Sequence, residues 1–164
     1  MSKRFDDMSK RFDDLSKRMD RIENRLDSMQ AAVLLAKLAV FEEELAARER
    51  VACYYDSRLG DVVRIPARVP ESASAWAIYA ILLPDSAARD GLQAGLKERG
   101  VPTAIYYPRP LHLQPAYRKH HDGSALPVSE DLASRILALP IHADLTDAAL
   151  AHVCESVLAA AGRG

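Results

Sequence analysis

Apolar residues in the first 33 positions alternate at spacings of three and four without a slip. Charged and small polar residues fill the positions between them. This is the a/d pattern of a heptad repeat, and its mean spacing of about 3.5 residues predicts a left-handed supercoil of two or more helices. Residues 1–33 are therefore predicted to form a coiled-coil helix. The seam consists of Phe5, Met8, Phe12, Leu15, Met19, Ile22, Leu26, Met29 and Val33.

The charges beside this seam favour a parallel arrangement. With Phe5 at position a, arginines occupy the g positions, so an antiparallel pair would place arginine against arginine. In a parallel pair, Arg18 can meet Glu23 of the second chain. The mixed core residues leave the number of strands open. The helix could also fold back on its own domain or extend into solvent, but so narrow a seam covers a globular core poorly, which favours a homo-oligomer.

A second apolar stripe follows the seam and is rotated away from it. It contains Leu34, Leu38, Phe41 and Leu45. Since no Gly or Pro occurs before Gly60, one helix is predicted to run without interruption to about residue 48. We expect the self-association surface to continue past Val33 and to include Leu34 or Leu38, or else an isolated fragment of residues 25–164 to aggregate.

The rest of the chain predicts an α+β fold class: a long helix followed by a small domain with a short, mostly antiparallel sheet and flanking helices. Capping residues and prolines mark the ends of its elements. The predicted elements are a strand at Trp76–Leu83, a helix from Asp85 or Ser86 to Arg99, a strand at Thr103–Tyr107, a loop at Leu111–Ala125, and helices at Ser129–Leu139 and from Thr146 to about Ala160.

Composition narrows the function classes. A net charge of -1 gives no support for binding to nucleic acid or to an anionic membrane. The longest nearly uncharged stretch, Ser72–Ala88, is too short to cross a bilayer, and the charged N-terminus has no signal-peptide core. Cys53 and Cys154 lie far apart without metal-type spacing, which indicates reduced structural thiols and a cytoplasmic protein.

Three stretches in the chain resemble motifs of one enzyme family. They are RLDSMQAAVLLAKL from Arg25, GVPTAIYYPRPLHLQPAY from Gly100 and LPVSEDLASRILALPIHADLT from Leu126. In order and spacing they are similar to segments that follow the cofactor lysine in the DegT/DnrJ/StrS aminotransferases. Members of that family use pyridoxal phosphate and usually aminate nucleotide-linked keto-sugars.

The resemblance implies that residues 25–164 correspond to the C-terminal small domain of a fold-type-I transaminase. The family's Schiff-base lysine and the aspartate that pairs with the pyridine nitrogen belong to a large domain that precedes this region. We therefore expect no catalytic residue and no cofactor for this chain alone. By resemblance, Arg25, Tyr107 and His112 line the substrate cleft of a complete enzyme.

The junction departs from the family pattern "G-x-N-x-R". Arg25 matches its arginine, but Glu23 replaces the asparagine that helps to hold the cofactor phosphate, and Arg21 replaces the glycine. A carboxylate would repel a phosphate, whereas Glu23 fits the heptad pattern. The sequence therefore indicates that a coiled coil replaces the catalytic domain up to Arg25.

The remaining candidate groups do not form a recognisable site. The six lysines occupy heptad surfaces, helix surfaces or, for Lys119, a loop, and none has the apolar context that lowers an amine pKa. His112, His120 and His121 lie close together in the sequence, but without a nearby cysteine or a helical i,i+4 pair they do not indicate a zinc site.

Three functions remain open at this point. The chain can be a catalytically incomplete family member whose coil sets its oligomeric state. It can be one half of a split aminotransferase that a separate large-domain chain completes. It can also be a non-enzymatic adaptor in which the coil binds a partner. The missing lysine domain argues against a free-standing enzyme.

Overall fold

The computed structural model describes residue Lys17 and residues 27–162. The chain divides into two compact units, with the boundary between Glu43 and Glu44. Arg25 and most of the predicted seam lie outside the described residues, so the parallel coiled coil stays a prediction. The seam residues concerned are Phe5, Met8, Phe12, Leu15, Met19, Ile22 and Leu26.

The helical segment of the first unit is not continuous with the helix that follows it. Residues 27–38 are helical (α1), residues 39 and 40 form a turn, and α2 runs from Phe41 to Leu59. The turn is closed by the Val40 N–H, which donates to the Lys37 carbonyl at 3.2 Å, a three-residue bond tighter than the α-helical one. The prediction of one uninterrupted helix to about residue 48 is therefore wrong.

Burial explains why α2 continues past the predicted end. Val51, Ala52, Tyr55 and Leu59 are all buried and recur at helical spacing, so the last two turns of α2 present one apolar face to the core. By contrast, the apolar residues of α1 are exposed: Met29 is 68% exposed and Val33 57%. Leu34, Leu38 and Phe41 of the second stripe are exposed as well.

A two-stranded antiparallel sheet forms the centre of the second unit. Strand β1 (Tyr79–Leu82) pairs with β2 (Ile136–Leu139), with Tyr79 opposite Leu139. Single bridges extend this sheet on both sides, because Arg64 pairs with Leu82 and Ala104 pairs with Ala138. The α+β fold class with a small antiparallel sheet is thus confirmed for the described residues.

The predicted helix at Ser129–Leu139 is a helix followed by a strand. The helix α5 covers Pro127–Arg135, and the next four residues form β2. Leu137 is fully buried and lies opposite Ile81, so packing and ladder hydrogen bonds decide in favour of the strand. The predicted strand at Thr103–Tyr107 is reduced to the single bridge at Ala104.

Two long helices cover the sheet. The helix α3 (Ser86–Glu98) begins after Asp85, whose side chain accepts the Ala88 N–H, and α6 (Asp147–Ala161) begins after Thr146, whose hydroxyl accepts the Ala149 N–H. Both caps agree with the sequence prediction. The helices approach closely at Gly95, where an added Cβ would lie 3.1 Å from the Ala160 Cβ.

A polar cluster fastens the segment before β1 to α2. Asp56 accepts hydrogen bonds from Arg68 Nε and from the Tyr79 hydroxyl, both at 2.6 Å. Glu49 accepts from Arg68 Nη1 and from the Trp76 indole N–H. The carboxylates lie two helical turns apart, and together they accept from four donor groups on three residues of the segment from Arg68 to Tyr79. Within the described residues, no helix is both long and apolar enough to cross a membrane.

Candidate functional site

The candidate site lies on the loop that leaves the sheet after Ala104. Pro108 and Pro110 lack the backbone N–H that a helix or a strand ladder requires, so this segment forms neither. A short 3₁₀ turn follows at Leu111–Leu113. The four-residue helix α4 (Pro115–Arg118) comes next, and the chain then returns to α5 at Leu126. Tyr107 and His112, which the sequence assigned to a substrate cleft, are both on this loop. Arg25 lies outside the described residues.

Glu130 of α5 joins the two ends of the loop. Its Oε1 atom accepts the Leu126 N–H at 3.2 Å and is 3.1 Å from His112 Nε2. The hydrogen bond with His112, followed by that from the Leu126 amide, holds the pKa of the Glu130 carboxyl below its usual range. One carboxylate oxygen therefore fixes both the 3₁₀ turn and the entry to α5.

His112 and Tyr107 differ sharply in exposure. The His112 side chain is 8% exposed, and its ring packs against that of His121 with 4.9 Å between the ring centres. His121 is held in turn, because its Nε2 lies 2.7 Å from the Ser124 carbonyl oxygen. Tyr107 is 67% exposed, with its ring on the surface. Of the two candidate cleft residues, His112 is thus a nearly buried imidazole that contacts Glu130 and His121, whereas Tyr107 is an exposed aromatic ring.

Several further apolar side chains of this loop and of the start of α5 are exposed to a similar degree. They are Tyr106, Leu111, Leu113, Tyr117, Leu126 and Val128. Some polar groups of the loop, in contrast, are paired within it, as with Gln114 Nε2 to the Arg109 carbonyl and the Ser124 N–H to Asp122. We call these exposed residues, with Tyr107, the aromatic surface. So many exposed apolar side chains in one stretch of chain are typical of a region that another protein segment or a ligand covers.

A shallow cavity of about 320 Å³ lies beside this surface and is lined by His112, His121, Tyr117 and Ser129 among others. A larger open groove of about 1090 Å³ runs along α3. That groove is lined mainly by small residues such as Ala87, Gly91 and Ala94, and its Asp85 already caps α3. Of these two, the smaller cavity is the one that brings imidazoles and a phenol together, so it is the better chemical candidate.

The described residues do not form a site for pyridoxal phosphate. That cofactor needs a lysine amine beside an enclosed pocket to form its imine, and an anchoring acid at the pyridine nitrogen. Lys37, Lys97 and Lys119 are exposed, and no lysine of residues 27–162 lines the cavity beside His112. Within the same range, no group of three or more His, Cys, Asp or Glu side chains is placed to hold a metal ion.

Comparison with known proteins identifies the family. The sequence pattern of the DegT/DnrJ/EryC1/StrS aminotransferase family matches residues 5–158. The chain belongs to this aminotransferase family. The match begins 20 residues before Arg25, so it includes most of the segment that the heptad pattern assigns to a coiled coil. The resemblance of the three sequence stretches to DegT/DnrJ/StrS enzymes is confirmed.

Two curated relatives share 39% identity with the chain. One is the UDP-2-acetamido-2-deoxy-3-oxo-D-glucuronate aminotransferase of Pseudomonas aeruginosa, for which the alignment covers 77% of this chain and 34% of the relative. The other is the erythromycin biosynthesis sensory transduction protein EryC1 of Saccharopolyspora erythraea, with 80% and 36% covered. The chain thus spans about a third of the length of these relatives.

A solved structure supports the same family assignment. A DegT/DnrJ/EryC1/StrS aminotransferase from Brucella abortus superposes on this chain with a TM-score of 0.75 at 46% identity. The matched region is 82% of this chain and 35% of the Brucella abortus chain. In the present chain, which is a member of the sugar aminotransferase family, Tyr107 and His112 belong to the second quoted stretch and Glu130 to the third. Sequence reasoning did not single out Glu130, because its contact with His112 joins residues 18 positions apart.

Proposed function

We propose that this chain is a catalytically incomplete sugar aminotransferase, in which residues 44–162 form the small domain that covers one side of a substrate cleft. The aromatic surface carries this proposal. Its apolar side chains are exposed although polar groups of the same loop, such as His112 and Gln114, are paired within the unit. The aminotransferases to which the chain is similar are about three times as long, and their additional residues can cover such a surface.

Catalysis needs groups that the described residues do not bring together. Transamination requires a cofactor imine on a lysine, and the lysines of residues 27–162 are exposed. Residues of this loop can instead contact a sugar, since Tyr107 offers an aromatic face and a hydroxyl, and His112 offers one ring nitrogen. The role of this unit is therefore to bind and orient, with the chemistry supplied by protein outside the described residues.

The N-terminal segment supports a second part of the proposal. We propose that residues 1–33 associate as a parallel coiled coil that brings two or more copies together. The unbroken heptad spacing supports it, and so do the exposed Met29 and Val33, which are the seam residues within the described range. Leu34 and Leu38 are also exposed and extend the apolar surface beyond the seam.

The split-enzyme alternative is favoured by the same aromatic surface, and a reconstitution experiment distinguishes it. The full chain is mixed with a separately produced protein that corresponds to the preceding two thirds of the Brucella abortus relative, together with pyridoxal phosphate, an amino-acid donor and a nucleotide-linked keto-sugar. We expect no turnover and no borohydride-stable adduct from the chain alone. We expect association, and with it turnover, when the second protein is present.

Two variants control this experiment. Tyr107→Ser removes an exposed aromatic group of the proposed contact, and Leu158→Ser removes an exposed leucine on α6, outside the loop. Association should weaken for Tyr107→Ser and not for Leu158→Ser. Turnover by the chain alone would contradict the proposal. A folded chain that binds neither the second protein nor a sugar nucleotide would overturn it in favour of an adaptor.

The coil is tested on the full chain by light scattering at micromolar concentration. Phe12→Asp buries a carboxylate in a core layer of the seam and should dissociate the assembly. Ser9→Asp introduces the same group at an e position and should leave the mass unchanged. A monomeric wild-type chain, or equal behaviour of the two variants, would show that the seam does not mediate association.

A further inference from the structure

The contact between Glu130 and His112 determines more than the position of a loop. Glu130 Oε1 accepts the Leu126 N–H at 3.2 Å, and His112 Nε2 lies 3.1 Å from the same oxygen. Because the backbone amide can only donate, this oxygen must act as an acceptor. The carboxylate is ionised at neutral pH, since both hydrogen bonds lower the pKa of Glu130.

An ionised carboxylate cannot donate a hydrogen bond, so the proton of this contact lies on His112 Nε2. In the neutral imidazole the other nitrogen, Nδ1, then carries the lone pair. Within residues 27–162 the only hydrogen-bond partner of the His112 ring is Glu130, through Nε2. His121 does not compete for Glu130, because its own Nε2 donates to the Ser124 carbonyl.

We propose that Glu130 is the positioning residue for His112, which it holds as the Nε2–H tautomer so that Nδ1 is presented to a ligand as a hydrogen-bond acceptor. Such a nitrogen accepts from a hydroxyl or an amine N–H, and in the neutral ring it disfavours a phosphate or carboxylate. The ligand class that fits is a hydroxyl-bearing group such as a sugar ring. Only this ligand assignment rests on the proposed function. The tautomer follows from the geometry of the chain itself.

The tautomer is measured on the full-length chain with nitrogen-15 labelled histidine, by long-range proton–nitrogen correlation at pH 8.5. The His112 signals are identified by their loss in His112→Gln. We expect wild-type His112 to show a protonated Nε2 and an unprotonated Nδ1. In Glu130→Ala the acceptor is gone, so we expect both tautomers to be populated.

A conservative variant separates positioning from simple tethering. In Glu130→Gln the amide oxygen must remain at the acceptor position, because the Leu126 N–H still donates there, and His112 should keep the Nε2–H tautomer. Asp131→Asn is the matched control. It changes the neighbouring carboxylate, which pairs with Arg135 at 2.7 Å, and should leave His112 unchanged.

Each outcome decides the inference. If His112 in the wild-type chain is the Nδ1–H tautomer, or if Glu130→Ala keeps a pure Nε2–H form, the inference is wrong. If Glu130→Ala does not fold, the wild-type and Glu130→Gln spectra still decide it. The result is separable from the proposed function. Reconstitution can fail although His112 is the Nε2–H tautomer, and it can succeed although His112 is the other tautomer. In a reconstituted enzyme, Glu130→Ala should raise KM for the sugar, and Glu130→Gln should restore it.

Discussion

The guanidinium carbon of Arg68 lies 5.1 Å from the centre of the Trp76 ring system, so the cation covers the indole face while its nitrogens bind two carboxylates. The same indole donates its N–H to Glu49, one of those carboxylates. Arg68, Trp76 and α2 are therefore coupled, and the irregular segment between them has one preferred position on the helix. Asp56 and Glu49 in turn raise the pKa of Arg68 above its usual value.

Replacing Arg68 by methionine keeps an apolar contact with Trp76 but leaves two carboxylates without their cation. We expect the free energy of unfolding to fall by about 1 kcal/mol, a modest value because Arg68 is partly exposed and its pairs are screened by solvent. Urea denaturation followed by Trp76 fluorescence measures the loss. Arg89→Met, which breaks a pair with the adjacent Asp90, is the control and should lower the free energy of unfolding by less than Arg68→Met does.

The Glu49 contacts predict a pH dependence of stability. The Trp76 N–H, and after it Arg68, holds the pKa of Glu49 below its usual value. A group whose folded-state pKa is lowered stabilises the fold above its unfolded pKa of about 4.3, and that contribution disappears as the pH falls through the folded pKa. Glu49→Gln should be less stable than wild type at pH 7, and the difference should vanish towards pH 3. Denaturation curves from pH 3 to 7 would contradict this if the difference stayed constant.

The strand assignment at Ile136–Leu139 has a direct energetic consequence. Leu137 is fully buried, and Leu137→Ala should destabilise the fold by about 2–5 kcal/mol through lost burial and a residual cavity. Val128, on the first turn of α5, is 71% exposed, and Val128→Ala should change stability by less than about 0.5 kcal/mol. Thermal or urea unfolding of both variants measures the contrast. Equal effects would place residues 136–139 outside the core.

The two cysteines should differ in reactivity. Burial raises the pKa of the Cys154 thiol to about 11, and the side chain is inaccessible in α6. Cys53 is exposed, although desolvation and the neighbouring Glu49 raise its thiol pKa as well. Since the thiolate is the reactive form, at pH 8 a maleimide should modify Cys53 slowly and Cys154 only after unfolding. Mass spectrometry of the native protein would refute this if both sites were labelled together.

Local sequence signals were sufficient for the parts of this fold that depend on neighbouring residues. Asp85 and Thr146 begin their helices because a short side-chain oxygen can accept a free backbone N–H three residues later. Gly100 follows α3 with a φ of 73°, which glycine adopts without steric cost. The motif stretches likewise predicted the loop that carries His112, whereas Tyr107, which the sequence assigned to a strand, lies on the same loop.

Tertiary structure decided what depends on distant partners. The apolar run at Ile136–Leu139 fits either a helix or a strand, and it is a strand because Tyr79–Leu82 and Ala104 supply its backbone hydrogen bonds. Glu130 gains its role only when folding brings His112 and Leu126 to one of its oxygens. Sequence patterns encode periodicity and capping over a few residues, whereas these pairings join segments whose meeting depends on the packing of the whole unit.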